Sequence, residues 1–260
     1  MTQRTAVVTG AAGGLGSAFV TALRDAGYRV VGADLEGADV VLDVRDPDAC
    51  RALARDIDPD VWVNNAGVLG AGDAATQPDG VVRRVVEVNL LGVINGTRAA
   101  VSVMRDRGPA GRGHVVNVGS LASWVPVPGE CVYAATKHAV LAYTLGLQAE
   151  LRGHGLAGVH LSVLCPDGML TPMIEPLLDD PAIAMTFSGM RLVTPQEVAA
   201  AGLRLLERPQ PYRAVPRWRG AQVRLIAAVP GPALRLAGLF HRLGAANQAK
   251  VRERVRSAAP

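Results

Sequence analysis

A tyrosine and a lysine stand four residues apart, at Tyr133 and Lys137, in a segment whose apolar pattern predicts a helix over residues 132–152. Positions i and i+4 share one face of a helix, so the phenol and the ammonium group are expected to be neighbours. A free phenol has a pKa near ~10, and a nearby cation lowers that pKa by stabilising the tyrosinate. The pair can therefore exchange a proton with an alcohol near neutral pH, and the ammonium can also bind a ribose hydroxyl.

The alternative explanation of this spacing is an ordinary amphipathic helix surface, and composition argues against it. The chain has only two lysines, Lys137 and Lys250, and otherwise uses arginine for its cations. A compact ammonium at position 137 indicates a geometry that a guanidinium would not supply. Ser120 lies 13 residues before Tyr133, just past a predicted strand. Its hydroxyl can donate to a substrate oxygen and stabilise the charge that develops there.

A turn of small residues, Thr9-Gly10-Ala11-Ala12-Gly13-Gly14-Leu15-Gly16, joins the first predicted strand to the first predicted helix. Small residues let the backbone approach a pyrophosphate, and a helix N-terminus offers free N–H groups and a partial positive charge. The glycines follow a T-G-x-x-x-G-x-G pattern and not the common G-x-G-x-x-G fingerprint. The residues predicted to bind a dinucleotide here are Gly10, Gly13, Gly14, Leu15 and Gly16.

Asp34 ends the second predicted strand and is followed by Leu35. A carboxylate at this point accepts hydrogen bonds from the adenosine ribose and repels a 2′-phosphate. Because the glycine turn contains no Arg or Lys, we predict that Asp34 and Leu35 favour NAD(H) over NADP(H). The alternative is a strand-end aspartate that only caps a turn.

The elements that must position these residues alternate along the chain. Apolar runs predict strands at residues 5–8, 29–33, 40–42, 61–63, 115–118 and 159–164. Apolar residues at helical spacing predict helices at residues 14–26, 47–56, 81–104, 132–152 and 195–206, with a bend near Gly92 in the third. Asp46 and Thr194 are the predicted N-caps of the second and last helices.

Strands that are apolar throughout and alternate with helices indicate a parallel sheet that is covered on both faces. The 260 residues suffice for one large domain with a sizeable core. We therefore predict an α/β protein with a single Rossmann-like, doubly wound domain. Ligands bind such a sheet at the carboxyl ends of its strands, which is where each motif above falls.

Taken in order, these motifs resemble those of the classical short-chain dehydrogenase/reductase family over residues 4–207. The resemblance also rests on Asn64-Asn65-Ala66-Gly67 after the fourth strand and on Asn89. It implies that Asp43 contacts adenine, with Val44 packed on the ring. It implies that Asn89 holds a water that relays protons to the lysine.

The resemblance implies two further groups of cofactor contacts. Asn65, Ala66 and Gly67 turn the chain beside a ribose, and Pro166, Met169 and Thr171 bind the carboxamide of nicotinamide. In the second group the sequence is Pro166-Asp167-Gly168-Met169-Leu170-Thr171, and Asp167 stands where the family usually has glycine. The geometry at Met169 is therefore left open.

Charge is unevenly distributed around a net value of +4. Residues 204–256 carry 12 Lys and Arg against two acids. We predict a catalytic domain over residues 1–210, with a substrate loop at about 171–194. A basic, apolar extension over 211–260 follows, and Pro230-Gly231-Pro232 should split residues 222–244 into two short helices. Packing of the extension on the same domain or on a neighbouring subunit ranks above binding to an anionic membrane surface, because each half is short for stable interfacial binding.

Three cysteines are too few for a disulfide framework or a zinc site, so a reducing, cytoplasmic setting without a bound metal is expected. No apolar stretch approaches the length of a membrane span. The sequence predicts an NAD(H)-dependent oxidoreductase for a hydrophobic secondary alcohol or ketone, with Asn89, Ser120, Tyr133 and Lys137 as its catalytic residues. The alternatives are an NADP(H)-dependent ketoreductase and a nucleotide-binding regulatory protein without activity. A homodimer or homotetramer without a nucleic-acid partner is expected.

Overall fold

Residues 3–258 are described by a computed structural model, in which seven strands form a single parallel sheet. The strands are β1 (Thr5–Thr9), β2 (Arg29–Asp34), β3 (Val40–Val41), β4 (Val61–Asn64), β5 (Gly113–Val118), β6 (Val159–Pro166) and β7 (Tyr212–Val215). Their spatial order is β3-β2-β1-β4-β5-β6-β7, and each neighbouring pair is parallel. The chain order reverses direction between β1 and β4, which is the switch point of a doubly wound sheet. The predicted Rossmann-like fold in a single domain is confirmed.

Helices cover both faces of the sheet. They are α1 (Gly14–Asp25), α2 (Pro47–Ile57), α3 (Asp79–Val86), α4 (Gly92–Met104), α5 (Cys131–Gly153), α6 (Pro195–Glu207), α7 (Arg217–Ala227) and α8 (Pro230–Ala258). The predicted N-caps are present: Asp46 accepts from the amides of Asp48 and Ala49, and Thr194 forms a capping box with Glu197. None of the helices within residues 3–258 is both long and apolar enough to cross a bilayer.

Alternate residues of each strand enter two different hydrophobic cores. In β1, Ala6 and Val8 pack with Phe19 and Leu205 under α1 and α6, whereas Val7 packs into the core under α2, α4 and α5. Fully burying one large apolar side chain contributes roughly 1.5–3 kcal/mol. Because both faces are covered, the strands are mainly apolar, although His114, Asn117 and Ser162 are buried polar residues within β5 and β6.

The C-terminal region differs from the sequence prediction in two ways. Strand β7 lies beyond residue 210, where only an extension was expected, and it pairs with β6 from Val163 to Pro166. The proline-rich segment does separate two helices, but the second is not short: α8 runs for 29 residues. Its prolines lie in the first turn, where a missing N–H costs nothing, so they do not interrupt the helix.

A π-helical turn at Glu87–Leu91 interrupts the long helical region directly before Gly92, where a bend was predicted. A Cβ at Gly92 would lie 2.6 Å from Cγ2 of Val44, so glycine allows the loop after β3 to approach this helix. The turn contains Asn89, which is fully buried. The carboxyl ends of β1, β2, β4, β5 and β6 all lie at the same edge of the sheet, and the candidate site is built there.

Candidate active site

The glycine turn after β1 is held in a shape that other residues could not adopt. Gly10 has φ +65°, and a Cβ there would lie 2.7 Å from Cα of Ala66. A Cβ at Gly16 would lie 1.9 Å from the carbonyl oxygen of Gly10. The N-terminus of α1 at Gly13 has no side-chain cap and no acid in its first turn. Its amides are thus available to a phosphate group, and the residues present fit a dinucleotide.

Thr9 and Asn65 join this turn to the end of β4. The hydroxyl oxygen of Thr9 accepts from the amides of Asn65 and Ala66, each at 3.1 Å. The side-chain amide of Asn65 donates to the carbonyl oxygens of Thr9 and Gly10, each at 3.0 Å. The neighbouring Asn64 is buried and donates to Asn117 of β5 at 2.8 Å. The two asparagines therefore fix three strand ends and have a structural role of their own.

The Asp34 carboxylate reaches back to the glycine turn. Its Oδ2 accepts from the amide of Ala12 at 3.0 Å, and its Oδ1 accepts from the amide of Leu35 at 2.8 Å. The Leu35 side chain is 61% exposed. One cation that the sequence analysis did not consider, Arg45, also borders this region, but it forms a salt bridge of 2.6 Å with Asp43. That bond holds the pKa of Asp43 below its usual value and pairs the guanidinium, which stays charged, with a carboxylate.

Tyr133 and Lys137 lie one turn apart on α5, and both face the site. The Lys137 ammonium lies 5.4 Å from the centre of the Tyr133 ring and donates to the carbonyl oxygen of Val118 at 2.8 Å. Burial lowers the pKa of Lys137 to about 8, so the group is still charged at neutral pH. Burial and the negative charge of Glu130 raise the pKa of Tyr133, while a hydrogen bond with Ser120 lowers it.

The upward shift of the Tyr133 pKa is opposite to the downward shift that the sequence predicted. The expectation considered the nearby ammonium alone, whereas removing the phenol from water is the larger effect in the structure. The chain by itself keeps Tyr133 protonated near neutral pH. It is therefore set to act as a proton donor.

The structure separates Ser120 from the nearby Ser123. Ser120 ends the loop after β5 and borders the cavity, where its Oγ accepts from the amide of Ala122 at 3.1 Å. Ser123 is buried, and its hydroxyl accepts from the Ser120 amide at 3.3 Å. Only the first of these serines is placed to meet a substrate oxygen beside Tyr133.

Both polar atoms of the Asn89 side-chain amide form hydrogen bonds with the backbone. Its Oδ1 accepts from the amide of Val68 and its Nδ2 donates to the carbonyl oxygen of the same residue, both at 2.8 Å. A Cβ on Gly67 would lie 3.3 Å from Asn89 Oδ1 and 4.0 Å from Lys137 Nζ, so Asn89 holds the chain beside the lysine. A water-mediated proton relay through Asn89 stays a prediction.

Asp167, which stands where a glycine was expected, is explained by a partner far away in sequence. Its Oδ2 lies 3.3 Å from Nε of Arg219 on α7, and both side chains are largely buried. Arg219 also donates to Gln222 at 2.7 Å and to Ser188 at 3.1 Å. Oδ1 of Asp167 accepts from the amide of Gly168 at 3.0 Å. Asp167 thus ties the loop after β6 to helix α7.

A cavity of about 1250 Å³ brings these groups together at the carboxyl edge of the sheet. It is lined by each residue predicted to bind cofactor or to act in catalysis except Gly16 and Asn89, which lie behind its wall. Thr171 packs beside the glycine turn, since a Cβ on Gly14 would lie 3.6 Å from its Cβ. Sequence reasoning missed Arg45, Glu130 and Arg219, because their partners are distant in the chain or appear only in the folded protein.

Helices α7 and α8 form one wall of the cavity. The residues that they contribute are largely apolar: Val223, Ile226, Leu234, Ala237 and Phe240. The second half of α8 packs on residues 181–187 of the predicted substrate loop. Gln248 is buried and donates to the carbonyl oxygens of Leu178 and Asp180, at 3.1 and 2.8 Å. The helix therefore fixes the position of the loop.

Replacing Gln248 with alanine should loosen the loop and lower kcat/KM for the substrate by about tenfold, because two carbonyl groups lose their partner and the apolar wall shifts. The Kd for a nicotinamide dinucleotide should change little, because the glycine turn and Asp34 lie elsewhere on the sheet edge. Lys250→Ala, at an exposed position two residues away, is the control. Steady-state kinetics and fluorescence titration measure the two effects. An unchanged kcat/KM in Gln248→Ala would show that the loop does not depend on α8.

Comparison with known proteins identifies the family to which these features belong. Residues 4–182 match the sequence profile described as short chain dehydrogenase. A 1-deoxy-11-beta-hydroxypentalenate dehydrogenase of Streptomyces exfoliatus is 38% identical over 199 residues, covering 67% of this chain and 70% of the relative. A 2-(R)-hydroxypropyl-CoM dehydrogenase of Xanthobacter autotrophicus is 34% identical over 207 residues, covering 70% and 80%.

Solved structures show the same fold. A short-chain dehydrogenase/reductase from Burkholderia phymatum in complex with NAD superposes with a TM-score of 0.76 and 26% identity, over 86% of this chain and 92% of that one. An actinorhodin polyketide ketoreductase with NADPH superposes with a TM-score of 0.70 and 27% identity, over 78% and 90%. The neighbours thus include complexes of both nicotinamide dinucleotides.

Proposed function

Because this chain belongs to the short-chain dehydrogenase family, we propose that it transfers a hydride between NAD(H) and a hydrophobic secondary alcohol or its ketone. The chain is an oxidoreductase of the alcohol dehydrogenase type. The observation that carries the finer proposal is the meeting of Ser120, Tyr133 and Lys137 in a cavity whose other end holds the glycine turn and one of whose walls, formed by α7 and α8, is largely apolar.

The proposed mechanism assigns one task to each polar group. Bound NADH supplies the hydride, and NAD⁺ accepts it in the reverse direction. Tyr133 donates its proton to the oxygen of the ketone, or takes the proton of the alcohol in the reverse direction. Ser120 donates a hydrogen bond to the same oxygen and stabilises its developing charge. Lys137 stabilises the tyrosinate that forms, and its bond to Val118 holds the ammonium in place.

The preference for NAD(H) is proposed from Asp34. Its carboxylate lies at the end of β2, where a ribose 2′-phosphate would meet a negative charge. Leu35 offers no hydrogen bond to a phosphate, and the guanidinium of Arg45 is already paired with Asp43. These contacts favour NAD(H) over the alternative, an NADP(H)-dependent ketoreductase.

The substrate class is proposed from the cavity wall and from the relatives. Apolar residues of α7 and α8 suit a substrate with few charges, and the two named relatives are dehydrogenases of hydroxyl-bearing compounds. We expect the protein to reduce bulky apolar ketones with NADH and to oxidise the matching secondary alcohols with NAD⁺. A panel of such alcohols, followed by absorbance of NADH, tests this. The absence of turnover across the panel with either NAD⁺ or NADP⁺ would contradict the proposal and favour a regulatory protein without activity.

The C-terminal extension is proposed to be part of the catalytic unit. Its packing on the substrate loop and its share of the cavity wall support a place on the same domain. Leucines on the outer side of α8 stay exposed, among them Leu236, Leu239 and Leu243. We propose that this apolar face contacts another subunit in a homodimer or homotetramer. A cytoplasmic location agrees with three free cysteines, two of them buried.

A further inference from the structure

Glu130 is a buried acid that the mechanism above does not use. It directly precedes α5 and is 4% exposed, yet it borders the cavity one helical turn before Tyr133. Its Oε1 accepts from the hydroxyl of Thr186, in the substrate loop, at 2.6 Å. Ala122, Val127 and Met185 belong to the small apolar cluster beside it. Burying a carboxyl group in apolar surroundings costs free energy unless hydrogen bonds compensate for it. Glu130 is therefore expected to have a specific role.

Within residues 3–258, side chains hydrogen-bond only one of the two oxygens of the Glu130 carboxyl group. Among residues 3–258, Thr186 supplies the one side-chain hydrogen bond to Glu130, and it goes to Oε1. In the same part of the chain, the side-chain nitrogen and oxygen atoms that are fully sealed from solvent have hydrogen-bond partners, apart from Nε of Arg219, whose contact with Asp167 is an ion pair. Since Oε2 of Glu130 has no such bond, it cannot be a sealed atom. It therefore faces the cavity.

The bond to Thr186 does not require a carboxyl group. The backbone already joins the two segments, because Gly129 lies so close to the loop that a Cβ on it would be 2.0 Å from the carbonyl oxygen of Ala182. A glutamine could accept from Thr186 equally well, without the cost of burying an ionisable acid. The other charged groups of the cavity wall near the reaction centre are engaged: Lys137 with Val118, and Arg219 with Asp167 and Ser188.

We propose that Glu130 is a second polar anchor for the substrate, whose free Oε2 accepts a hydrogen bond from a hydroxyl group remote from the carbon that reacts. The inference rests on the proposed function, because it takes Tyr133 as the place of reaction. The substrate class is narrowed to an apolar compound with two oxygen functions, one oxidised or reduced beside Tyr133 and the other an unreactive hydroxyl. This acid is an acceptor in the carboxylate form and keeps one acceptor oxygen when protonated.

A pair of ketones that differ only in a remote hydroxyl tests the anchor. We would use 6-hydroxydecalone and decalone, and measure the ratio of their kcat/KM values with NADH. The wild-type ratio should be at least about tenfold in favour of the hydroxylated ketone, as for a hydrogen bond to a buried acceptor. Glu130→Leu should bring the ratio close to one. Glu130→Gln should also lower the ratio, because its single oxygen accepts from Thr186 and the amide nitrogen that remains cannot accept from the substrate hydroxyl. Glu150→Gln changes an exposed acid at the far end of α5 and should keep the wild-type ratio.

Two readouts keep this proposal separate from the proposed function. Calorimetric titration of the NADH complex with each ketone reports the preference even without turnover, and the melting temperature reports folding of each variant. A wild-type enzyme that converts both ketones equally, or a Glu130→Leu variant that keeps the ratio, would overturn the anchor alone. A matched aminoketone that is preferred over the hydroxyketone would overturn the hydroxyl assignment in favour of a cationic substrate. If neither ketone reacts but the hydroxylated one binds more tightly, the anchor stands and the proposed reaction fails.

Discussion

Replacing Tyr133 with phenylalanine should lower turnover by at least ~10²-fold, the lower range for the loss of a general acid–base group. The substitution removes only the hydroxyl, so the ring keeps its packing against Ala122, Val127 and Ala134. The Kd for NADH should barely change, because the phenol is not a main contact of the cofactor. Steady-state kinetics on the best alcohol of the panel and fluorescence titration with NADH give the two values.

Tyr143→Phe provides a matched control for this experiment. Tyr143 lies on the same helix as Tyr133, and burial raises its pKa as well, but it does not border the cavity. Its loss of a hydroxyl should leave turnover close to that of the wild type. If Tyr133→Phe also keeps near-normal turnover, the proton comes from another group and the mechanism proposed above is wrong.

Sequence patterns predicted the fold because the forces that fix it are local or periodic. Strands β1 to β6 are mainly apolar, with buried polar residues such as His114, Asn117 and Ser162 in β5 and β6, and the burial of both sheet faces favours such runs. Strand β7 was missed for the opposite reason. It is four residues long, contains Arg213, and lies between Pro211 and Pro216. Only its pairing with β6 makes it a strand, and that pairing is a contact distant in the chain.

The length of α8 also depends on tertiary contacts. The sequence predicted a short helix because Pro230-Gly231-Pro232 was expected to split residues 222–244, and the glycines within α8 also lower its intrinsic helix propensity. One of them, Gly244, packs so closely on the substrate loop that a Cβ would lie 2.0 Å from the carbonyl oxygen of Ala184. Asn247 donates to the carbonyl oxygen of Phe187 at 3.1 Å. These contacts stabilise a helix that its sequence alone would not, because packing contributes more than propensity in proteins.

The candidate site divides in the same way between what sequence shows and what only the fold shows. The glycine turn, Ser120, Tyr133 and Lys137 were predicted because each follows a strand end or shares a helix face at a fixed spacing. The direction in which the pKa of Tyr133 shifts was not predicted correctly from the sequence, because burial of the phenol is a property of the folded protein. Likewise, the ion pair of Asp167 with Arg219 joins residues 52 positions apart in the sequence, and no local pattern marks it.

Changing Asp34 to alanine together with Leu35 to arginine should reverse the cofactor preference, raising the ratio of kcat/KM for NADP to that for NAD by about 10²-fold. The alanine removes the charge that opposes a 2′-phosphate, and juxtaposed like charges cost several kcal/mol, where 1.4 kcal/mol is a factor of ten. The arginine supplies a bidentate partner for the phosphate at an exposed position. The Kd values for NADH and NADPH should shift in the same direction.

Single variants separate the two causes. Asp34→Ala alone should weaken NAD binding, because the Ala12 amide and the ribose both lose an acceptor, and should improve the use of NADP only in part. Glu36→Ala, two residues further on, removes an exposed acid that has no contact with the glycine turn and should leave the ratio unchanged. If Glu36→Ala moves the ratio as far as Asp34→Ala does, the preference arises from the general negative field of this loop and not from the Asp34 carboxylate. If the wild-type protein prefers NADP, the guanidinium of Arg45 must leave its partner Asp43 and bind the 2′-phosphate instead. The proposed role of Asp34 would then be wrong.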